Sequence, residues 1–187
     1  MVTFVATAHK ETIDSYQFLS SLILQTDSRW KCIIYCDGRN EYIEKVVEVF
    51  NDDRISIFYS EEPKGFWGHY NRKYALDNLV DTEFVIQTSI QDYYLPITVG
   101  EILKLTSKYD FIMFNSLHNH ISYKILDVEP IKCKIDWGMF AIKTSIAKQN
   151  GINNIENRYC DGVFVEECFR NFNLKSAKIH KILMIHN

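Results

Sequence analysis

The first half of the chain alternates short apolar segments with segments of helical periodicity, and this alternation limits the possible folds more than any other feature. Val2–Ala8 is predominantly apolar and lacks a 3.6-residue period, which is typical of a strand buried in a parallel sheet. The segment after Asn40 places apolar residues at positions i, i+3, i+4 and i+7, which predicts an amphipathic helix capped by Asn40. Four more strands are expected within residues 30–38, 54–60, 84–86 and 109–116.

Helical segments separate these strands, so the sequence predicts an α/β fold with a mostly parallel sheet flanked by helices. The helices of this half are expected at 15–25, 41–50, 70–80 and 98–108, and Thr98 and Glu101 match a capping box at the start of the last one. Beyond residue 117 the pattern is looser. There we expect a small antiparallel C-terminal extension with strands within 122–128, 131–143 and 178–187, and helices at 144–150 and 161–171.

The composition excludes several classes of protein. The chain has 187 residues, 47% of them hydrophobic and 24% charged, as expected for one soluble globular domain. A formal charge of −3 without a stripe of lysine and arginine gives no surface for nucleic acid, and no apolar run approaches the roughly 20 residues of a membrane span. The first residues lack a signal-peptide pattern, so we expect a cytoplasmic protein, and the lack of a long apolar run predicts no transmembrane segment. The five cysteines lack a zinc-type spacing, and in the cytoplasm we expect their thiols to be reduced.

Polar residues follow three of the predicted strands. They are Thr7–His9, Asp37–Gly38 and Ser89–Asp92. Ligands of open parallel α/β sheets bind beyond the carboxyl ends of the strands, so these three segments are the candidate binding residues. Asp37 can accept hydrogen bonds from a ribose or a base, but an Asp-Gly pair is also a common turn.

The segment SLILQTDSRWKCIIYCDG resembles the opening of family 2 glycosyltransferases, which have the GT-A fold. It has the family's Gln-Thr pair, an aromatic residue, an apolar strand and Asp-Gly, with Cys36 in place of the first aspartate of Asp-Asp-Gly. Farther along, Arg72, Ala75, Leu76 and Pro96 are in register with the family's Ala-Arg-Asn-x-Ala-Leu segment and with the proline after its DxD signature. The resemblance covers residues 2–105.

This resemblance implies a single GT-A (Rossmann-like) domain over residues 1–187, with a nucleotide-sugar-binding half at 1–116 and an acceptor and catalytic half at 117–187. It implies transfer of a sugar from a nucleotide-diphosphate-sugar, with UDP-sugar favoured, to the hydroxyl of a glycan or another acceptor, with inversion and with Mn²⁺ or Mg²⁺. Because the chain is short for this family, it is either a minimal enzyme or one module of a longer protein. The implied nucleotide-binding residues are Thr7, Ala8, His9, Asp37, Arg72, Ser89 and Gln91.

The metal site differs from the family pattern. The DxD aspartates of the family hold the ribose and a divalent ion, but Ser89-Ile90-Gln91 occupies that position here and Asp92 follows it. The resemblance therefore makes Asp92 and a late histidine, His186, the expected metal ligands, although Asp92 could be an ordinary loop aspartate and His186 a structural histidine. His118-Asn119-His120 has no acid beside it in the sequence, which favours a surface or acceptor-side position.

The catalytic base of the family is the aspartate of a Glu-Asp pair that opens a late helix. Asp161 is in this register, with Cys160 in place of the glutamate. Such a carboxylate takes the proton of the acceptor hydroxyl, and the same residue could instead cap its helix. Trp137 could stack on an acceptor sugar or pack in the core, and Asp136 is a second candidate acid on the acceptor side.

Two other functions remain open from the sequence. A GT-A-like module that binds a nucleotide or a glycan without turnover is compatible with the altered DxD signature. A nucleotidyltransferase would need a glycine-rich phosphate loop near the N-terminus, and TAHKETID has no glycine.

Overall fold

The computed structural model describes residues 1–9 and 14–187, and these contain nine strands and six α-helices. The strands are β1 (Val2–Ala8), β2 (Trp30–Cys36), β3 (Ile55–Tyr59), β4 (Phe84–Ser89), β5 (Asp92–Tyr94), β6 (Phe111–His118), β7 (Lys124–Leu126), β8 (Phe140–Lys143) and β9 (Ser176–His186). The helices are α1 (Asp14–Ile23), α2 (Glu41–Phe50), α3 (His69–Asn78), α4 (Thr98–Leu103), α5 (Thr144–Asn150) and α6 (Cys160–Asn171).

The described strands form one sheet in the order β3-β2-β1-β4-β8-β6-β9-β5, with β7 paired to β6. The longer ladders, β1 with β2 and β4, β2 with β3, and β6 with β9, are parallel. The predicted α/β class with a mostly parallel sheet is therefore confirmed. The antiparallel strands are not all at one end, because β8 lies between β4 and β6 and is antiparallel to both.

Burial explains why β1 is a central strand. All seven of its residues are buried, and it pairs on one side with β2 and on the other with β4. In the second half, Phe111 of β6 stacks on Phe140 of β8 at 5.0 Å between ring centroids and meets Phe169 of α6 at 5.1 Å. These aromatic contacts join the later strands and α6 to the same core.

Three predictions about local structure are wrong. Thr98 does not form a capping box, because its hydroxyl donates to the carbonyls of Leu95 and Leu183, and α4 ends at Leu103 instead of reaching 108. The segment 131–143 is a strand only at its end, in β8. Asp92–Tyr94, expected to be part of a loop, is a strand because it pairs with the distant β9.

Two smaller observations concern membranes and cysteines. Among the described residues, no helix has the length and apolar character that crossing a membrane requires. Cys32, Cys36, Cys160 and Cys168 are buried free thiols, and Cys133 is exposed.

The N-terminus of α2 gives a direct test of the cap predicted from sequence. Asn40 is the N-cap, and its Oδ1 accepts a hydrogen bond from the Ile43 amide at 3.1 Å. Asn40→Ala removes this acceptor and is expected to lower the free energy of unfolding by about 1 kcal/mol, measured by urea denaturation. The control Asn173→Ala, at an exposed position, is expected to change it by less than about 0.5 kcal/mol. Equal effects of the two substitutions would contradict the capping role.

Candidate functional site

A cavity of about 860 Å³ lies at the carboxyl ends of β1 and β4. The loop between β3 and α3, the segment before β8, the start of α6 and the end of β9 complete its lining. It brings together ten of the residues predicted to be functional: Thr7, Ala8, His9, Arg72, Ser89, Gln91, Asp136, Trp137, Asp161 and His186. Two predicted residues, Asp37 and Asp92, do not line the cavity.

Asp37 lies directly behind the cavity wall, with its side chain 2% exposed. Its carboxylate accepts hydrogen bonds from the backbone amides of Lys64 and Gly65 at 2.7 and 2.9 Å, and from the Asn71 side chain at 3.2 Å. Burial alone would raise the pKa of Asp37, but these hydrogen bonds and one from His9 lower it. Asp37 is therefore ionised and holds the loop after β3 in place.

That loop contains an unusual turn. The consecutive residues Gly65, Phe66, Trp67 and Gly68 all have positive φ angles, from 49° to 75°. Such angles are rare for bulky side chains, so the surrounding hydrogen bonds must hold the turn. The Arg72 guanidinium provides one of them, donating from Nη1 to the Trp67 carbonyl at 2.6 Å.

Arg72 also connects this turn to the sheet. Its Nη2 donates to the Thr88 carbonyl of β4 at 2.9 Å. The side chain is buried, and the carboxylates of Asp92, Asp136 and Asp161 counteract the effect of burial, which lowers its pKa. Arg72 thus places one buried positive charge among three carboxyl groups at the floor of the cavity.

Asp92 is 1% exposed, and both of its carboxylate oxygens are engaged. Its Oδ2 accepts hydrogen bonds from the Thr88 hydroxyl at 2.5 Å and from the Ser89 amide at 2.8 Å, which closes the turn between β4 and β5. Its Oδ1 lies 2.7 Å from Nδ1 of His186. Asp92 is therefore placed to orient His186 and the turn, and not to face the cavity directly.

His186 belongs to a group of potential metal ligands. One donor atom each of His118, Asp136 and His186 lies within 4.8 Å of the other two. Burial lowers the pKa of His186, but its hydrogen bond to Asp92 raises it overall. His118 is 1% exposed, so the expectation of a surface position is wrong for this residue, and the side chain of His120 lies outside the described part of the chain.

Asp161 lies in the first turn of α6, where its Oδ1 accepts a hydrogen bond from the Gly162 amide at 2.7 Å. Burial raises its pKa to about 8, and the neighbouring carboxyl group of Asp136 contributes to the increase. Gly162 allows the start of α6 to pack closely against Lys132, because a Cβ at this position would lie 2.6 Å from the Cα of Lys132. Because its pKa is raised to about 8, Asp161 keeps its proton at neutral pH for most of the time.

Trp137 is largely part of the packed wall. Its ring is 5% exposed and packs against Phe140 and Phe164 at 5.7 and 5.3 Å. Its Nε1 is buried and has no hydrogen-bond partner among the described residues. This arrangement agrees with the core-packing alternative, while leaving a donor group beside the cavity.

Several lining residues were not predicted. They are Phe66, Trp67, His69 and Arg158, together with Gly65, Gly68 and Ile90. Burial and the Arg72 charge lower the pKa of His69 to about 4, so its ring is neutral at pH 7. The sequence signal for the aromatic pair was the two glycines that flank it in GFWG.

Neither a protein-family model nor a curated protein sequence matches the chain. Solved structures do match it. The S. aureus protein TarS superposes over 100% of this chain with a TM-score of 0.83 and 14% identity, and its fragment 1–349 has been solved with UDP and with UDP-GlcNAc. A mannosyltransferase from Pyrobaculum calidifontis, in complex with GDP-Man and Mn²⁺, matches over 99% with a TM-score of 0.79 and 12% identity. GalNAc-T7 with UDP, GalNAc and Mn²⁺ matches over 100% with a TM-score of 0.73 and 10% identity.

These matches confirm the GT-A fold predicted from the sequence. The chain spans 36% of the TarS chain, 56% of the mannosyltransferase and 43% of GalNAc-T7. The shared fold places the carboxyl ends of β1 and β4, and hence the cavity, at the position where open α/β sheets bind their ligands.

Gly138 allows the segment carrying Asp136 and Trp137 to reach the sheet. Its φ angle is +92°, and a Cβ there would lie 2.6 Å from Sδ of Met184 and 3.2 Å from Oδ2 of Asp92. Gly138→Ala is expected to lower the free energy of unfolding by about 3 kcal/mol in urea denaturation, because it adds a clash to an unfavourable backbone conformation.

The matched control is Gly65→Ala. Gly65 also has a positive φ angle, of +69°, but its Cβ would meet nothing within 4 Å. With a ψ angle of −141° its backbone lies in a sparsely populated region, and only that backbone cost, about 1–3 kcal/mol, is expected there. A loss at Gly138 no larger than at Gly65 would show that the close packing around Gly138 is unimportant for stability.

Proposed function

We propose that this GT-A domain is a glycosyltransferase that transfers a sugar from a nucleotide-diphosphate-sugar to an acceptor hydroxyl, with inversion and with a divalent metal ion. The observation that carries the proposal is the position of Asp161. This half-buried carboxyl group lines the same cavity as the ends of β1 and β4. Sugar transfer needs a proton acceptor at the acceptor oxygen and, separately, stabilisation of the charge that develops on the leaving diphosphate.

Asp161 is proposed as the general base. In an inverting transfer it removes the proton from the acceptor hydroxyl as that oxygen attacks the anomeric carbon. A base must be ionised to do so, and the raised pKa of Asp161 reflects burial and the nearby Asp136 carboxyl group. The charge of Arg72 already lowers this pKa, which still lies at about 8, so the ionised base is the minor form at neutral pH and its share increases as the pH rises through 8.

The donor is proposed to bind on the side of β1 and the loop after β3. Thr7, Ala8 and His9 would line the nucleotide, while Asp37 acts through the loop amides that it holds. Ser89 and Gln91 would contact the diphosphate by hydrogen bonds only, since they carry no charge. UDP is the favoured nucleotide, and the support is the UDP-bound structures of TarS and GalNAc-T7.

The residues present fit a divalent cation, but not in the manner of a DxD signature. The Asp92 oxygens are occupied by Thr88, Ser89 and His186, so Asp92 is assigned a positioning role. His186 and Asp136 line the cavity and can supply a ligand atom each. A bound cation would neutralise charge on the leaving diphosphate. Asp136 would therefore act as a ligand of the cation in addition to its expected place on the acceptor side. Trp137 keeps its expected place on the acceptor side.

The second candidate is a GT-A-like module that binds a nucleotide or a glycan without turnover. The observation favouring it is the pair of uncharged residues, Ser89 and Gln91, at the positions where the resemblance expects two aspartates.

Asp161→Asn is expected to lower sugar transfer by at least about 100-fold, because the amide cannot accept the proton, while affinity for the nucleotide stays within about twofold. Transfer is measured with radiolabelled donor, and nucleotide affinity by calorimetry. The control Asp53→Asn removes an exposed carboxylate and is expected to leave both values unchanged. Full activity in Asp161→Asn would remove the assignment of the base.

Calorimetric titration with UDP, GDP and dTDP, each with Mn²⁺, tests the donor class. UDP is expected to bind at least about 10-fold more tightly than GDP, a difference of about 1.4 kcal/mol. A donor-hydrolysis assay on the same preparation then separates the two candidate functions. Binding of UDP without hydrolysis or transfer of any UDP-sugar supports the binding module, and tighter binding of GDP contradicts the choice of UDP.

A further inference from the structure

We propose that His118, Asp136 and His186 form a metal site that selects a first-row transition metal ion over Mg²⁺. The inference deepens the proposed function, because it assigns the ligands of the cation, but binding of the metal does not depend on sugar transfer. It replaces the expectation that Asp92 coordinates the ion. The site is formed by two imidazoles and one carboxylate.

Strand register places the two histidines side by side. His118 ends β6 and His186 ends β9, and the two are register partners in the parallel ladder between these strands. Their ring centroids are 4.9 Å apart. On the other side of β9, His186 is the register partner of Asp92 in β5. Residues paired across neighbouring strands face the same side of a sheet, so these three side chains form a row.

Asp136 reaches this row from the segment before β8. The close approach of Gly138 to Met184, Tyr94 and Asp92 fixes this segment against the strand ends. As a result the three potential ligand atoms lie within 4.8 Å of one another, close enough for small side-chain rotations to bring them to a single ion. Asp136 and His186 also line the cavity, so an ion held there would be accessible to a diphosphate.

The hydrogen bond between Asp92 and His186 is the arrangement expected around a metal-bound histidine. Metal-ligating imidazoles usually donate their other ring N–H to a carboxylate, which fixes the ring and increases its basicity as a ligand. Here Nδ1 of His186 lies 2.7 Å from Asp92, so Nε2 is the nitrogen directed to the metal. Thr88 and Ser89 hold the other oxygen of Asp92, so the orienting carboxylate is itself fixed.

The local charge favours a cation. Asp92, Asp136 and Asp161 lie around one buried guanidinium, that of Arg72. The positive partners of these three carboxyl groups are this guanidinium and the imidazole of His186, which is hydrogen-bonded to Asp92. A divalent ion would offset this excess of negative charge at the position where the ligand atoms converge.

The ligand types determine the selectivity. Mg²⁺ prefers oxygen ligands and gains little from imidazole, whereas Mn²⁺, Co²⁺ and Zn²⁺ accept a mixed set of nitrogen and oxygen atoms. Affinity for such a set increases from Mn²⁺ through Co²⁺, and Zn²⁺ also binds more tightly than Mn²⁺. A site made of carboxylates alone would show a weaker preference against Mg²⁺.

The test is calorimetric titration of the full chain with MnCl₂, CoCl₂, ZnCl₂ and MgCl₂, without nucleotide, supported by the Mn²⁺ electron paramagnetic resonance signal. One Mn²⁺ site is expected, with Co²⁺ and Zn²⁺ tighter and Mg²⁺ at least about 100-fold weaker than Mn²⁺. His118→Ala and Asp136→Asn are each expected to weaken Mn²⁺ binding at least about 10-fold. Asp92→Asn is expected to weaken it by about 10- to 100-fold through His186.

The matched controls are His180→Ala and Asp127→Asn. His180 is exposed on β9, the strand that carries His186, and Asp127 is an exposed aspartate. Both substitutions are expected to leave Mn²⁺ affinity within about twofold. Circular dichroism melts identify a variant that fails to fold. His118 is buried, so His118→Ala could be a variant that does not fold. Asp136 is partly exposed and its side chain does not fill the core, so Asp136→Asn then still tests the proposal.

Three results would overturn the proposal. They are the lack of any metal binding, equal affinity for Mg²⁺ and Mn²⁺, and unchanged Mn²⁺ affinity in a folded Asp136→Asn variant. A fourth result would also overturn it: if Asp92→Asn abolishes binding while folded His118→Ala retains it, the ion lies at the turn between β4 and β5 instead. All these titrations omit the sugar donor, so metal binding can be observed even if the transfer assay shows no activity. Failure of the metal-site proposal is therefore distinguishable from failure of the proposed function.

Discussion

The rest of the site depends on the hydrogen bonds that the carboxylate of Asp92 accepts. The carboxylate is buried, and its two oxygens hold three different parts of the structure: the end of β4 through Thr88 and Ser89, its own strand β5, and the end of β9 through His186. Leaving such a carboxylate without partners would cost several kcal/mol, so the three parts are fixed together. This contact therefore fixes the end of β9 against the turn between β4 and β5.

Asp37 acts in a comparable way on the other side of the cavity. It holds the loop after β3 through the amides of Lys64 and Gly65, and Arg72 then connects that loop to β4. Asp37 follows β2 and Asp92 begins β5. The sequence alone predicts that both aspartates bind the ligand. In the structure they support the cavity wall. The groups that face the cavity come from elements next to them.

The sequence predicted the parts of the fold that depend on local pattern. The buried strand β1, the Asn40 cap of α2 and the polar ends of β1 and β4 follow from periodicity and from nearby residues. His186 was expected to be a metal ligand from the resemblance, but its grouping with His118 could not be predicted, because the two become neighbours only when β9 pairs in parallel with β6. The strand β5 and the role of Thr98 were missed for the same reason, since their partners belong to β9.

The proposed metal site has two imidazoles where the DxD signature of the family would supply carboxylates. This difference has an electrostatic consequence for the proposed chemistry. A dication held by several carboxylates is largely neutralised by its own ligands. One held by Asp136 and two neutral imidazoles retains more positive charge toward an incoming diphosphate. The uncharged Ser89 and Gln91 at the β4 tip then remove a repulsion that two aspartates would exert on the phosphates. An altered DxD signature is therefore compatible with binding a nucleotide-diphosphate-sugar, provided that the charge lost at the strand tip is matched by a cation at the end of β9.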